Sequence, residues 1–369
     1  MDVIAIKAKQ ARLSGNTDAM TERETTQRED AAMKPSWMPG LRGSAALAIA
    51  LAAFASAGAT DAAALTDKWC SKVHLRFFVG GAEGDAFGTI VYNGARQAAA
   101  DTGAQVDYIF SGWANEKMTQ QLREAVAAHP DGIAMMGHPG EAAILPLAEK
   151  AAKAGIKMIY QNVPVPAAVD KVGGGYIGAQ QAPQGRALGV EIVRRFGLGK
   201  ADLAIVILAS NDVIRNAREE GTAKALEEGG VKVVRLASEP EWAADPNLAI
   251  PVVTAAFQAN PTAKAIVYPG GQMLGNAEVY MKAARKKPGE VFNIGFDTSP
   301  QIVQAFERGW VQLTADQQPF QQGYLPILSL CETIVYGLAP INVDTGAGAG
   351  FVTPENYKAV ADLSKEGLR

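Results

Sequence analysis

The residues best suited to chemistry stand at the ends of apolar runs. The run "VFNIGF" (residues 291–296) stops on Asp297, and "WVQLTA" (310–315) runs into Asp316, Gln317 and Gln318. Strands of an open α/β sheet that end on polar groups at one edge usually end there for a ligand. Carboxylate and amide groups arrayed in this way satisfy partners that both donate and accept, hydroxyls above all. A polar residue at one strand end could equally cap the next helix. Several at equivalent ends favour a cleft. Catalysis finds no such support. The three histidines, His74, His129 and His138, are not spaced with another His or Cys for zinc. No G-x-S-x-G elbow and no phosphate-binding G-x-x-x-x-G-K-[ST] occurs. Residues Gly173 to Gly178 match G-x-G-x-x-G but do not open a first β-α turn, so they read as a crossover rather than a dinucleotide loop. No catalytic residue, metal site or cofactor is expected.

The elements that must position these groups alternate along the chain. Strands are expected at 73–81, 104–110, 132–137 and 156–162, with helices at 86–103, 115–130 and 141–154 between them. The rhythm restarts after "VGGGYIGAQQ", with helices at 182–197, 213–229, 247–259, 273–287 and 299–308. The strands of this half are expected at 201–210, 232–238, 265–270 and 291–296. The β-α-β-α order predicts mainly parallel sheets covered on both faces, with right-handed connections that bring every strand's C-terminal end to one edge. Two such units predict an α/β fold of two doubly wound parallel-sheet lobes with a cleft between them. Thr353 and Pro354 predict the start of a final surface helix (354–369), although Asn356 stands where a full capping box has Glu or Gln.

The chain has 369 residues, 48% hydrophobic and 20% charged, enough for two globular domains. Its net charge of −3 leaves no basic footprint for nucleic acid. Residues 33–64 carry Lys34 and Arg42, an apolar run near 44–54 and small-residue sites at Ala57 and Ala64, the layout of a secretory signal peptide. Residues 1–64 are therefore expected to be a leader, and the mature protein to be exported to the periplasm. Two cysteines, Cys70 and Cys331, could pair in that oxidising compartment or remain as thiols.

The stretches "GDAFGTIVYNGARQAA" (84–99), "AREEGTAKAL" (217–226), "NIGFDTSP" (293–300) and "ADQQPFQQG" (315–323) carry a resemblance. Over residues 73–353 the chain resembles the ribose/galactose class of periplasmic sugar-binding proteins, the solute-binding components of ABC importers. The resemblance implies a three-segment hinge near 177–181, 315–319 and 341–349. It bounds an N-terminal lobe of 65–179 plus 317–345 and a C-terminal lobe of 180–316 plus 346–353. It also implies a monosaccharide or derivative as ligand, and a membrane permease and ATPase complex as partners of a monomer.

The same resemblance assigns the site residues. Asp85 and Phe87 follow the first strand, where the family has an amide and an aromatic. Asn162 stands in place of an aspartate, and Val163 in place of an arginine. Arg215 and Asn216 open the helix where the family places a sugar-binding arginine. Trp242 matches a stacking aromatic, Gln272 lies beside a family asparagine, and Asp297 and Gln317 match outright. With Val163 removing a cation and Asp85 adding an acid, an amino sugar held by its ammonium is an alternative to a neutral sugar or polyol. A sensor subunit for a chemoreceptor or kinase is an alternative role.

Overall fold

The computed structural model describes residues 67–210, 212–346 and 350–369. The leader expected at 1–64 lies outside these residues.

The chain opens with β1 (His74–Phe78), α1 (Ala86–Thr102), β2 (Gln105–Ile109), α2 (Asn115–Ala127) and β3 (Gly132–Met136). It continues through α3 (Glu141–Lys153), β4 (Lys157–Gln161), α4 (Pro166–Val172) and β5 (Tyr176–Gly178). The second series is α5 (Gln181–Phe196), β6 (Leu203–Leu208), α6 (Ala217–Glu228), β7 (Lys232–Ala237) and α7 (Ile250–Ala259). After these come β8 (Ala263–Val267), α8 (Gly271–Gly275), α9 (Ala277–Ala283), β9 (Phe292–Phe296), α10 (Pro300–Glu307) and β10 (Leu313–Ala315). The chain closes with α11 (Pro319–Tyr336), β11 (Val343–Asp344), β12 (Phe351–Val352) and α12 (Lys358–Lys365).

Two six-stranded sheets result, in the orders β11-β5-β4-β3-β1-β2 and β12-β10-β9-β8-β6-β7. The second repeats the first strand for strand. All pairings are parallel except β10 with the short edge strand β12. The chain passes between the sheets three times, at 179–180, at 316–318 and between β11 and β12. Central strands such as β3, "GIAMM", are buried throughout, because helices cover both faces of a parallel sheet. The first lobe has one hydrophobic core and the second has a core on each face of its sheet.

One helix pair in each lobe is held backbone to backbone by glycines. In the first, a Cβ on Gly94 of α1 would stand 2.1 Å from the Phe320 carbonyl oxygen, and one on Gly323 of α11 1.9 Å from that of Val91. In the second, Gly185 of α5 and Gly221 of α6 play the same parts, 1.8 Å from Arg218 O and 2.6 Å from Ala182 O. Only a residue without a Cβ permits such an approach.

Local capping sets the helix starts. Asp85 Oδ1 accepts the Gly88 N–H at 2.6 Å, and Ser299 Oγ accepts that of Ile302 at 3.2 Å ahead of Pro300. Several boundaries differ from the sequence reading. The helix expected from 213 begins at Ala217, because 212–216 form turns braced by the Asp212 carboxylate. The helix expected at 273–287 is interrupted at Asn276 into α8 and α9. The α4 helix was not anticipated. The final helix starts at Lys358, after turns in which Asn356 Oδ1 accepts the Thr353 N–H at 2.7 Å. The asparagine thus supplies the return bond of a capping box. Cys70 and Cys331 form a disulfide with Cα atoms 5.8 Å apart, tying the start of the first lobe to α11.

Candidate functional site

The strand ends of the two sheets meet. On the first lobe, Asp85 and Phe87 follow β1, Trp113 follows β2, His138 follows β3 and Asn162 follows β4. On the second, Arg215 follows β6, Gln272 follows β8 and Asp297 follows β9, while Gln317 lies on the segment returning to the first lobe. Asp85 Oδ2 accepts from Trp113 Nε1 at 3.0 Å and, across the lobes, from Gln272 Nε2 at 3.1 Å.

A second set of bonds centres on Asp297. The register that sets Phe296 beside Ala315 brings Asp297 next to the returning segment, where its N–H donates to Ala315 O at 2.9 Å. Gln317 Nε2 donates to Asp297 Oδ1, and the Gly271 N–H donates to Oδ2 at 2.8 Å. Asn162 Nδ2 donates to Gln317 Oε1 at 3.3 Å and to Gln322 Oε1 at 3.0 Å. Asn162, Gln317 and Asp297 therefore form one chain of bonds from lobe to lobe. Asp297 is 3% exposed, and burial raises its pKa from the ordinary carboxylate value, against the opposing effects of Arg218, Gln317 and Gly271.

Arg218 is the principal residue that the sequence reading missed. It lies within the quoted "AREEG" stretch, on the first turn of α6, and is 4% exposed. Its Nη2 donates to Pro269 O at 2.6 Å, Nε lies 3.3 Å from Glu219 Oε1, and the guanidinium carbon sits 3.9 Å over the Phe296 ring. Such a cation–π contact is strongest where the groups are desolvated. Arg215 is only partly buried, and its N–H donates to Asp212 Oδ1 at 2.8 Å. Desolvation lowers the pKa of its guanidinium. Asn216 turns its side chain back into its own lobe, Oδ1 accepting the Ala209 N–H at 3.1 Å.

Aromatic groups form a row on the first lobe. Phe87 and Trp113 have ring centroids 6.0 Å apart, and Trp113 and His138 5.1 Å apart. Trp113 and His138 carry no periodic signal in the sequence. Trp242, expected as the stacking group of the second lobe, is 4% exposed and packs in that lobe's core, on a short 3-10 turn beside α8. Its polar sequence neighbours Glu239 and Glu241 face solvent while the indole turns inward.

The backbone is unusual at the same places. Trp113, Asn162, Asp297 and Gln318 have φ of 61°, 62°, 75° and 54°. Left-handed residues other than glycine cost about 1–3 kcal/mol each and gather where a side chain must be aimed. The amino-sugar alternative, whose acid excess also counted Glu83, Glu241 and Asp316 near the same strand ends, is not favoured by the contacts. Three donors fill Asp85, Arg369 pairs with Asp316 at 2.9 Å, Glu83 and Glu241 are exposed, and Arg218 adds a cation beside Asp297.

Comparison with known proteins places this geometry. A family model described as "Periplasmic binding protein domain" matches residues 77–335. A carbohydrate transporter structure from Acidothermus cellulolyticus 11B, in complex with myo-inositol, superposes with a TM-score of 0.69 at 23% identity. It covers 80% of this chain and 99% of that one. An ABC transporter solute-binding protein from Burkholderia graminis C4D1M, in complex with D-arabinose, gives 0.69 at 21% identity, covering 78% and 97%. The xylose/arabinose-binding protein XylF of Sulfolobus acidocaldarius is 38% identical over 69 residues, a stretch spanning 17% of this chain and 16% of that protein. With the family model covering most of the described residues, and with two lobes of matching topology meeting at their strand ends, the chain belongs to the periplasmic binding protein family.

Proposed function

We propose that this protein captures a monosaccharide or sugar derivative between its two lobes and delivers it, unchanged, to a membrane permease. The observation that carries this reading is the bond chain Asn162–Gln317–Asp297, which joins strand ends of both lobes through groups that can exchange partners with hydroxyls. The aromatic row Phe87–Trp113–His138 offers a face for the C–H side of a sugar ring. Asp85, Asn162, Arg218, Gln272, Asp297 and Gln317 supply the polar contacts, Phe87 and Trp113 the apolar ones. Arg215 stands at the rim, while Asn216 and Trp242 support from behind.

A ligand touching both lobes favours the closed arrangement through contacts that the open one lacks. Export through the 33–64 segment, a periplasmic location, a monomeric state and the absence of turnover belong to the same reading. No helix among the described residues is long and apolar enough to cross a membrane. Sugars bound by the relatives, myo-inositol and D-arabinose among them, define the first panel to try.

The test is isothermal titration of the purified protein with pentoses, hexoses and polyols, with the ligand recovered and analysed afterwards. Stoichiometric binding and unchanged release support the reading. Chemical conversion of the sugar would replace it with an enzymatic one.

A further inference from the structure

Where the lobes meet, the charged groups are not equally provided for. Asp297 and Asp85 have donors on both carboxylate oxygens, Gln317 and Gly271 for the first, Trp113, Gln272 and Gly88 for the second. Glu219 has Arg218 on Oε1, while its buried Oε2 has no partner among the described residues. Arg218 is shared among Glu219, Pro269 O and the Phe296 ring. Arg215 differs. Only its backbone N–H is bonded, and among the described residues its guanidinium has no ion pair and no hydrogen bond. Its five donors, on a side chain only partly buried, are thus open to a ligand.

The residue facing it from the other lobe is also unsatisfied. His138 Nδ1 is fully buried and has no hydrogen-bond partner among the described residues. The two segments stand against each other: a Cβ on Gly140, in the loop carrying His138, would lie 3.7 Å from Asp212 Oδ2, in the turn carrying Arg215. Arg215 and Arg218 are near enough to help burial hold the imidazole neutral. In one tautomer Nδ1 carries a proton and donates it. Trp113 packs on the same imidazole and places the pair at the end of the aromatic row.

We propose that His138 and Arg215, one from each lobe, form an anion subsite, and that the preferred ligand is an acidic sugar whose carboxylate they hold. This rests on the sugar-binding reading and names the class of sugar. A carboxylate presents two acceptor oxygens to a guanidinium fork and a spare lone pair to His138. A neutral hydroxyl satisfies fewer of these donors. The carboxylate end of a uronate or aldonate lies at the His138–Arg215 end of the row, and its hydroxyls reach Asp297, Asn162 and Gln317.

The experiment is titration calorimetry at neutral pH with glucuronate, galacturonate and gluconate against glucose and galactose. It is run on the wild-type protein, on Arg215→Gln and on His138→Asn, with circular dichroism confirming that each variant is folded. The acids are expected to bind at least tenfold more tightly than their neutral parents. Arg215→Gln is expected to weaken acid binding by about 10–100-fold, as for loss of a hydrogen bond to a charged group, while changing neutral-sugar binding less than threefold. His138→Asn is expected to weaken acid binding by a smaller factor than Arg215→Gln, and, because His138 ends the aromatic row, to weaken neutral sugars as well, though less than the acids. Acids that bind no better than neutral sugars, or an acid preference that survives Arg215→Gln, would overturn the subsite and leave the sugar-binding reading intact. Failure of every sugar, acidic and neutral, would overturn both.

Discussion

Asn162 and Asp297 hold the same place in the two lobes: each is the first residue past the fourth strand of its half, each has a positive φ, and Gln317 bonds to both. An internal duplication of topology thus converges on one amide. Asn and Asp tolerate the left-handed region better than bulky residues, so the same backbone device serves both lobes.

Asp297→Asn is expected to separate stability from binding. Burial raises the folded-state pKa of this carboxyl, so its favourable contribution to stability is present below the unfolded value and is lost as pH rises through the folded one. At neutral pH the ionised group is therefore a cost to the folded protein. The variant should melt at a higher temperature than wild type at pH 7, with the gap closing toward pH 4. Its sugar affinity should fall by about 10–100-fold, the range for a hydrogen bond to a charged group. Melting curves across this pH range, with titrations at pH 7, check both halves.

Gly185→Ala should destabilise the second lobe, because the new methyl would meet the Arg218 carbonyl oxygen at 1.8 Å. Overpacking of this kind costs about 1–3 kcal/mol, and more where backbone is the obstacle. Relief requires α6 to shift, and Arg218 with it, so sugar affinity should drop too. Gly199→Ala, where a Cβ meets nothing within 4 Å, is the matched control and should be near neutral. Urea midpoints of the two variants decide the matter.

Reduction of the Cys70–Cys331 bond should lower stability without altering ligand affinity. The bond closes a sequence separation of 261 residues, for which loop-closure entropy gives about 5.6 kcal/mol as an upper figure. Both cysteines lie in the core of the first lobe, away from the strand ends that face the second. Equal dissociation constants with and without reductant, alongside a lower urea midpoint with it, are the expected pair of results.

Asn93→Ala should shift the molecule toward the open form. Asn93 Nδ2 on α1 of the first lobe donates to Gly367 O at 2.9 Å, just after α12, which packs on α10 of the second lobe. Arg369 then reaches the buried Asp316 on the returning segment. The tail therefore spans the lobes. Small-angle scattering of the sugar-free variant should give a larger radius of gyration than wild type, with sugar restoring the closed value. An unchanged radius would mean that the tail plays no part in closing.

Much of this architecture could be read in advance, since parallel strands buried on both faces leave short apolar runs punctuated by amphipathic helices. The family resemblance named Asn162 and Asp85, and the strand-end logic found Asp297 and Gln317, since they follow such runs. It failed where a side chain's fate depends on what lies above it. Arg218 looks like one charge among several on a helix, and only the placement of β9 beneath α6 sets Phe296 under its guanidinium. Trp242 sits among acidic residues and looks exposed, yet the 3-10 turn rotates its indole into the core. Trp113 and His138 occupy loops, where no periodicity announces burial. The break at Asn276 did leave a sign, the Gly275–Asn276 pair of weak helix formers, which the reading of one helix over 273–287 passed over.

The disulfide also has a mechanical meaning. With Cys70 and Cys331 joined, force applied between residue 67 and residue 369 runs through the bond and bypasses everything between them, including strands β6 to β10 of the second sheet. Only the segments outside the bond, residues 67–69 and 332–369, could be drawn out, roughly 140 Å at about 3.5 Å per residue. Apart from β12 and α12, the second lobe, although later in the chain than the first, would be shielded from tension too. A pulling trace that is short when oxidised and several times longer when reduced is the signature of a chain whose two ends are fastened on one side of its hinge.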